Sequence, residues 1–223
     1  MVVKHKTNNS KRKNDFPIFA VFVLILVVVA LVAGSFFIFH SKEKLDYSTV
    51  NGFKFTKLGE KTWQTTVQMN GDLYEVPFYT HPFDITKINY DPNVTLHIMD
   101  VINTMKPKRE FVIAIHPSSG STPVLAGVNI ARITGKFYGT KTSSSLFLTS
   151  EEQEDMGNQS LPVISCDDAN FLKTVIKISN NETEPVVKFI DGNKNCILVG
   201  AESDDDLLMV ADDVAYKLLG IIK

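Results

Sequence analysis

The apolar run Phe111-Val-Ile-Ala-Ile115 is followed by the polar stretch His116-Pro-Ser-Ser-Gly-Ser-Thr-Pro123 and then by a helical pattern. An uninterrupted apolar run of this length is typical of a central strand buried on both faces. The Thr122-Pro123 pair predicts a helix start, because proline fits the first turn of a helix. Val124, Val128 and Ala131, with Ala126, Ile130 and Ile133, are expected to form the apolar face of that helix, and Gly135 or Gly139 ends it.

A second unit of the same kind closes the chain. Cys196-Ile-Leu-Val199 predicts a strand, and Ser203 with Asp206 forms a capping-box pattern before a helix that Gly220 ends. One apolar stripe of this amphipathic helix contains Leu207, Leu208, Ala211, Val214, Ala215, Leu218 and Leu219. Two strand–loop–helix units predict parallel or mixed strand pairing, with the helices packed on the sheet.

Further elements are predicted around these units. Residues 52–79 are predicted to form a β meander with a hairpin at Asn70-Gly71, and Pro77 predicts that its last strand lies at an edge or ends near Pro77. Asp91-Pro92 starts another helix. Strands are predicted at 146–148, 162–165, 174–178 and 185–190. The predicted fold is one α/β (α+β) domain with an N-terminal meander, a mixed sheet with two or three packed helices and a C-terminal amphipathic helix.

The most apolar segment lies near the start of the chain. Ile18 to Phe39 is a run of 22 residues without a charge, in which only Gly34 and Ser35 fall outside the hydrophobic set. A helix of that length reaches about 33 Å and crosses a bilayer core of ~30 Å. The run has no polar stripe and no helical period, so a transmembrane helix is favoured over a buried core helix.

Charges on the two sides of this run predict its direction. The tail carries five basic side chains against Asp15, a net charge of +4, whereas residues 41–223 carry 18 basic and 24 acidic side chains, a net charge of −6. Basic flanks stay on the cytoplasmic side. We expect a single-pass protein of the cell membrane, held in the lipid bilayer by residues 18–39. Its parts are a basic cytoplasmic tail (1–15), a transmembrane signal anchor (16–40), a connector (41–50) and an extracytoplasmic domain (51–223).

Two other interpretations of the apolar run, a cleaved signal peptide and a pilin-type leader, are less favoured than a transmembrane anchor. A cleaved signal peptide has an apolar stretch of only ~7–15 residues, and here Phe36-Phe-Ile-Phe39 follows the small residues at 33–35. A pilin-type leader is cut before the run, beside a small residue and often a nearby Glu, and Lys13-Asn-Asp-Phe-Pro17 has neither. Whether the anchor is ever cleaved stays open, and a pilin-like filament subunit stays the second alternative.

Composition narrows the class of protein further. With 44% hydrophobic residues, 22% charged residues and two cysteines, the chain is not collagen-like, not a cysteine-dense miniprotein and not wholly disordered. The net negative charge of residues 41–223 argues against a nucleic-acid partner.

Cys166 and Cys196 lie 30 positions apart, at the ends of predicted strands. An extracytoplasmic compartment permits a disulfide between them, as two neighbouring strands of one sheet would allow. The alternative is a pair of buried free thiols. A catalytic cysteine is disfavoured because Asp167 and Asp168 would oppose a thiolate.

The loop that follows the central strand is the candidate site. Its backbone amides and the residues Ser118, Ser119, Gly120, Ser121 and Thr122 are candidates for binding a small ligand or anion. His116 beside Ser119 or Ser121 also offers a base and a nucleophile, the candidate catalytic residues of a hydrolase. A polar turn before a capped helix explains the same residues without a site. Neither a Gly-x-Ser-x-Gly elbow nor a P-loop pattern is present.

Other candidate sites are weaker. Asn93, Asn158 and Asn181 begin Asn-x-Ser/Thr triplets and are candidate glycosylation acceptors. The acidic groups 167–168, 204–206 and 212–213 match no calcium loop, and His81, His97 and His116 match no zinc spacing, so neither a metal nor a cofactor is expected.

The sequence therefore predicts a membrane-anchored extracytoplasmic protein with a non-catalytic binding or scaffolding domain of the cell envelope. An envelope protein or a glycan is its expected partner. The alternative is an anchored extracytoplasmic hydrolase that uses Ser119 or Ser121 with His116.

Overall fold

The computed structural model of the chain describes residues 47–69, 71–104, 106, 108–148 and 162–223. These residues form an α+β domain with an antiparallel sheet, a mixed sheet and three α-helices. The predicted tail, the predicted transmembrane segment and residues 41–46 of the connector lie outside the described residues. No helix among the described residues is long and apolar enough to cross a bilayer.

The antiparallel sheet is the predicted meander with one more strand. Its strands, in spatial order, are β1 (Tyr47–Val50), β2 (Phe53–Lys57), β3 (Trp63–Met69) and β4 (Asp72–Phe78). Strand β4 lies at an edge, as Pro77 predicted. Strand β1, which the sequence had placed in the connector, pairs with β2 through a turn in which Asn51 and Gly52 have φ values of 48° and 88°. Two positive φ values are typical of a type I′ hairpin turn.

The strands of the mixed sheet are β5 (Asn89–Tyr90), β6 (Glu110–Ile115), β7 (Lys141–Phe147), β8 (Val163–Ile164), β9 (Lys173–Ser179), β10 (Val186–Ile190) and β11 (Asn193–Gly200). Their spatial order is β5-β10-β11-β9-β6-β7-β8. Strands β11, β9, β6, β7 and β8 run parallel, whereas β10 is antiparallel to β11 and parallel to β5. The central strand predicted at 111–115 is indeed interior, between β9 and β7.

The helices are α1 (Pro92–Asn103), α2 (Thr122–Ala131) and α3 (Asp204–Leu218), and α2 continues as a π-helical segment, Arg132–Phe137. Asp91 and Ser203 cap α1 and α3 as predicted, because each side chain accepts a hydrogen bond from a backbone N–H of the first turn. The expected apolar face of α2 is wrong in part. Its N-cap is Ser121, and Val124 and Val128 are about half exposed while Ala126, Ile130 and Ile133 are buried.

One continuous core joins the two sheets. Phe55 and Phe78 of the antiparallel sheet pack against Tyr216 of α3, with ring centroids 5.8 Å and 4.2 Å from the tyrosine ring. The same core contains Ile113, Ile176 and Ile197 of the mixed sheet. At the domain's ends, the Asn51 side chain donates a hydrogen bond to the Ile221 carbonyl over 2.8 Å, which ties the first hairpin to the C-terminal residues.

The predicted disulfide is present on the other face of the mixed sheet. Cys166 and Cys196 are bonded, with their Cα atoms 5.4 Å apart. The expectation that neighbouring strands carry them is wrong, because β9, β6 and β7 separate β8 from β11. Cys166 lies in a 3₁₀ turn (Cys166–Asp168) after β8. There it joins a small second core with Val112, Ala114, Ile164, Val175 and Cys196.

We expect that Gly127→Ala destabilises the domain by about 1–3 kcal/mol, the usual cost of overpacking a core. A Cβ at Gly127 would lie 2.8 Å from Cγ2 of Ile113, because α2 packs closely on β6 at this point. Urea unfolding of the full chain measures the effect. Gly59→Ala, where a Cβ meets no atom within 4 Å, is the matched control, and equal stabilities of the two variants would contradict the close approach.

Candidate functional site

The predicted candidate loop lies at the carboxyl end of β6. The Ser118 hydroxyl lies 2.7 Å from His116 Nδ1, and the Ser118 N–H donates to the same nitrogen over 3.3 Å. Since Nδ1 accepts a backbone N–H, the neutral ring carries its proton on Nε2. The Ser119 N–H donates to the His116 carbonyl over 3.0 Å. The histidine is therefore hydrogen-bonded to Ser118, the residue next to Ser119.

The remaining predicted ligand residues continue this turn. Gly120 has a φ of 77°, a left-handed conformation that glycine adopts without strain. Ser121 is the N-cap of α2, and its side chain makes no capping hydrogen bond. Ser118, Gly120 and Ser121 are exposed, whereas Ser119 and Thr122 are partly buried. The loop thus offers hydroxyl groups to solvent at the start of a helix.

Loops after β9 and β11 lie beside this turn at the same edge of the sheet. The Asn180 side chain donates to the Ser119 carbonyl over 3.2 Å, across 61 positions of sequence. The Glu182 N–H donates to the Ala201 carbonyl over 3.3 Å. A Cβ at Gly200 would lie 2.4 Å from Cγ of Glu182, so only glycine fits against that side chain. The sequence did not single out Asn180, and its only signal was its place two positions after the end of a predicted strand.

The carboxyl ends of parallel strands are the usual place for a ligand in open α/β sheets. We call residues 116–122 and 180–182 the carboxyl-edge loops. Their described groups are serine hydroxyls, amide side chains, one histidine and one glutamate. Groups of this kind bind polar ligands through hydrogen bonds.

A cleft of about 760 Å³ lies at the opposite edge, where β6, β7 and β9 begin, and the sequence did not predict it. Its walls carry basic side chains, but Arg109 and Lys141 already have partners. The Arg109 guanidinium donates to Asp100 over 2.6 Å and lies 4.7 Å from the ring centroid of Phe171, and Lys141 pairs with Glu110. These contacts tie β6 to α1 and to β7, whereas the buried Nε of Arg109 has no hydrogen-bond partner among the described residues.

The acidic pair at 212–213 is part of the interior. Asp212 is fully buried, and one of its carboxylate oxygens accepts the backbone N–H groups of Tyr79 and Thr80, each over 2.7 Å. The other oxygen accepts a hydrogen bond from the Asn129 side chain of α2. Asp213 forms an ion pair with Lys217 one turn further on. No group of three or more His, Cys, Asp or Glu side chains suited to a metal occurs in the described part of the chain.

Burial controls the protonation of Asp212. Loss of solvent raises the pKa of this carboxyl to about 8, although the two backbone N–H groups, Asn129 and nearby Arg132 oppose the rise. Asn129 Oδ1 is buried without a hydrogen-bond partner in the described residues. Rotation of the Asn129 amide would present this oxygen to a protonated Asp212, since amide orientations are assigned from such networks.

Two of the three candidate glycosylation residues fall within the described chain. Asn181 is exposed in the loop between β9 and β10. Asn93 is exposed in the first turn of α1, where its side chain donates to the capping Asp91 over 2.9 Å. Asn158 lies outside the described residues.

In comparisons with protein-family models, with curated proteins and with solved structures, nothing matches this chain. Its function is therefore argued from its own residues.

We expect that Asp212→Asn alters how stability depends on pH. A carboxyl whose pKa is raised in the folded state binds more protons folded than unfolded, so stability falls as pH rises between about 4 and 8. Over pH 5–7 the wild-type free energy of unfolding should therefore fall more steeply than that of the variant, by up to about 1.4 kcal/mol per pH unit.

Urea unfolding of the full chain at pH 5, 6 and 7 measures these slopes. Asp205→Asn, at the exposed start of the same helix, is the matched control and should keep the wild-type slope. Parallel curves for the wild type and Asp212→Asn would contradict the buried, protonated carboxyl.

Proposed function

We propose that this chain is a single-pass, membrane-anchored protein whose disulfide-bonded α+β domain lies outside the cytoplasm and acts as a binding or scaffolding module of the cell envelope. The observation that carries the location is the Cys166–Cys196 disulfide. Disulfides form and persist in oxidising compartments and are rare in the cytosol. A cross-link that closes 30 positions contributes about 3–4 kcal/mol in the chain-entropy model, so a domain built around it favours such a compartment.

The sequence before the domain supports the same location. The apolar run Ile18–Phe39 is long enough to span a bilayer, and the basic tail favours a cytoplasmic N-terminus. Strand β1 begins at Tyr47, so only seven residues separate the end of the run from the first strand of the domain. The first described strand therefore begins close in sequence to the proposed anchor.

The binding role rests on the carboxyl-edge loops. Asn180 and Ser119 join two of these loops, which holds exposed hydroxyl and amide groups in a fixed arrangement. Hydroxyl and amide groups together form hydrogen bonds with sugar hydroxyls or with a peptide backbone. An envelope glycan or an envelope protein is therefore the proposed partner, with lipid contact confined to residues 18–39.

A topology experiment tests this proposal. In intact cells that express the full chain, added protease should digest residues 47–223, and thiol-directed labelling should modify Cys166 and Cys196 only after reduction. The matched control exchanges the five basic residues of the tail for Ser and introduces Arg at 42–46, which should invert the chain and leave both thiols free. A protected domain or free thiols in the native chain would overturn the proposed orientation. An N-terminus that begins inside residues 13–18 would instead favour the pilin-like alternative.

A second candidate function, an anchored extracytoplasmic hydrolase, is favoured by one observation. The 2.7 Å separation of the Ser118 hydroxyl and His116 Nδ1 is within the range of an activated nucleophile and its base. The nucleophile of this candidate is then Ser118, beside the Ser119 and Ser121 that the sequence nominated.

A fluorophosphonate probe, which reacts covalently with activated serines, separates the two candidates. For a binding module, we expect the probe to label the wild-type chain no more than the Ser118→Ala or His116→Gln variant. Labelling that both substitutions reduce more than tenfold, and that Ser203→Ala at the start of α3 leaves unchanged, would instead establish the hydrolase.

A further inference from the structure

His81 lies between β4 and the short 3₁₀ turn Pro82–Asp84, and only 5% of its surface is exposed. The Phe83 N–H donates to Nδ1 of the ring over 3.2 Å. Nδ1 is therefore unprotonated, and Nε2–H donates to the hydroxyl of Ser48 on β1. One imidazole thus connects the first strand of the domain to the turn that follows the meander.

Three aromatic rings enclose this imidazole. The ring centroids of Trp63, Phe83 and Phe55 lie 4.4 Å, 5.2 Å and 5.4 Å from that of His81. This enclosure accounts for the small exposed fraction of the residue. Burial lowers the pKa of His81, and this effect is larger than the opposing attraction of the Asp84 carboxylate.

The geometry points to a proton-operated latch on β1: protonation of His81 Nδ1 sets two N–H donors against each other at Phe83, expels the ring from its aromatic enclosure and weakens the attachment of β1 to the domain. A protonated ring has no acceptor for the Phe83 N–H. When the ring leaves, Ser48 loses this partner. Among the described residues, β1 then keeps its ladder with β2, the Tyr47–Lys54 contact, the buried Val50 and the neighbouring Asn51–Ile221 hydrogen bond.

The other charged and titratable groups near His81 do not cause the pH-dependent opening. Asp84 lies in the same turn, and the ammonium of Lys57 on β2 lies 5.7 Å from the ring centroid of Trp63 on β3. From α3, Tyr216 donates to the Thr80 carbonyl over 2.5 Å, and Asp212 accepts the Thr80 N–H. Since the pKa of Asp212 is about 8, its carboxyl is already protonated below pH 7. Among these groups, His81 is therefore the one that gains a proton on opening between pH 7 and pH 5.

The direction follows from linkage. A histidine whose pKa is lowered in the closed state binds its proton more readily in the open state, so opening increases as pH falls. With an ordinary histidine pKa of 6.5 in the open state, the open population rises by up to about 25-fold from pH 7 to pH 5. The latch is a property of the domain alone, and its use beside a membrane rests on the proposed function.

Amide hydrogen exchange of the full chain in detergent micelles, corrected for the intrinsic rate at each pH, tests the latch. We expect opening of residues 47–57 and 79–86 to rise at least twofold from pH 7 to pH 5, while residues 111–115 stay unchanged. His81→Gln should abolish this rise. His97→Gln, which alters another histidine whose pKa burial lowers, is the matched control and should retain it.

A rise below twofold, an equal rise in His81→Gln, or an equal rise across the whole domain would overturn the latch. If His81→Gln does not fold, the ring resonance of His81 in the wild-type chain decides. Its apparent pKa should fall below 6.5, and a value of 6.5 or above would overturn the proposal. Both measurements are independent of chain orientation, so their failure is distinct from a failure of the topology experiment.

Discussion

The burial of one carboxyl group, that of Asp212, is the constraint on which the arrangement of the domain depends. It lies where the end of the antiparallel sheet meets α2 and α3. Its carboxyl group accepts hydrogen bonds from two backbone N–H groups of the residues that follow β4. Unpaired N–H groups in such a place would cost about 1–3 kcal/mol each. The aromatic contacts of Tyr216 one turn away hold the same junction by apolar burial. The two sheets therefore share a core because one helix supplies both kinds of contact.

Patterns with a local physical cause were readable in the sequence. The apolar run Phe111–Ile115 predicted an interior strand, and the caps of α1 and α3 followed from single polar residues. Strand β1 was missed, although Asn51-Gly52 carries the same turn signal as Asn70-Gly71. Most of β7 was missed because Thr142 and the three serines after it resemble a loop, and their strand conformation comes from pairing with β6.

Long-range relations were not readable in a single chain. Val124 and Val128 of α2 are half exposed, although they recur with the period of a helix. This apolar periodicity does not predict which face of the helix the sheet covers. The disulfide was predicted from the extracytoplasmic compartment and from the presence of two cysteines. The path that brings Cys166 across the sheet to Cys196 depends on the strand order. In the candidate site, the closeness of His116 to the serines was predictable because these residues are near one another in the chain. The contact between Asn180 and Ser119 depends on the parallel pairing of β6 with β9.

The hydrogen bond between Asn51 and Ile221 has a mechanical consequence. It places the first hairpin of the domain beside its last residues, so a load applied between the two ends of the domain acts first on that contact. The next elements in line are the four paired residues of β1 and β2, which such a load would peel apart one pair at a time. Tension would therefore be relieved at the β1–β2 hairpin before it reached the interior. There, apolar burial holds α3 on the mixed sheet, and the Cys166–Cys196 disulfide cross-links the sheet to the turn after β8.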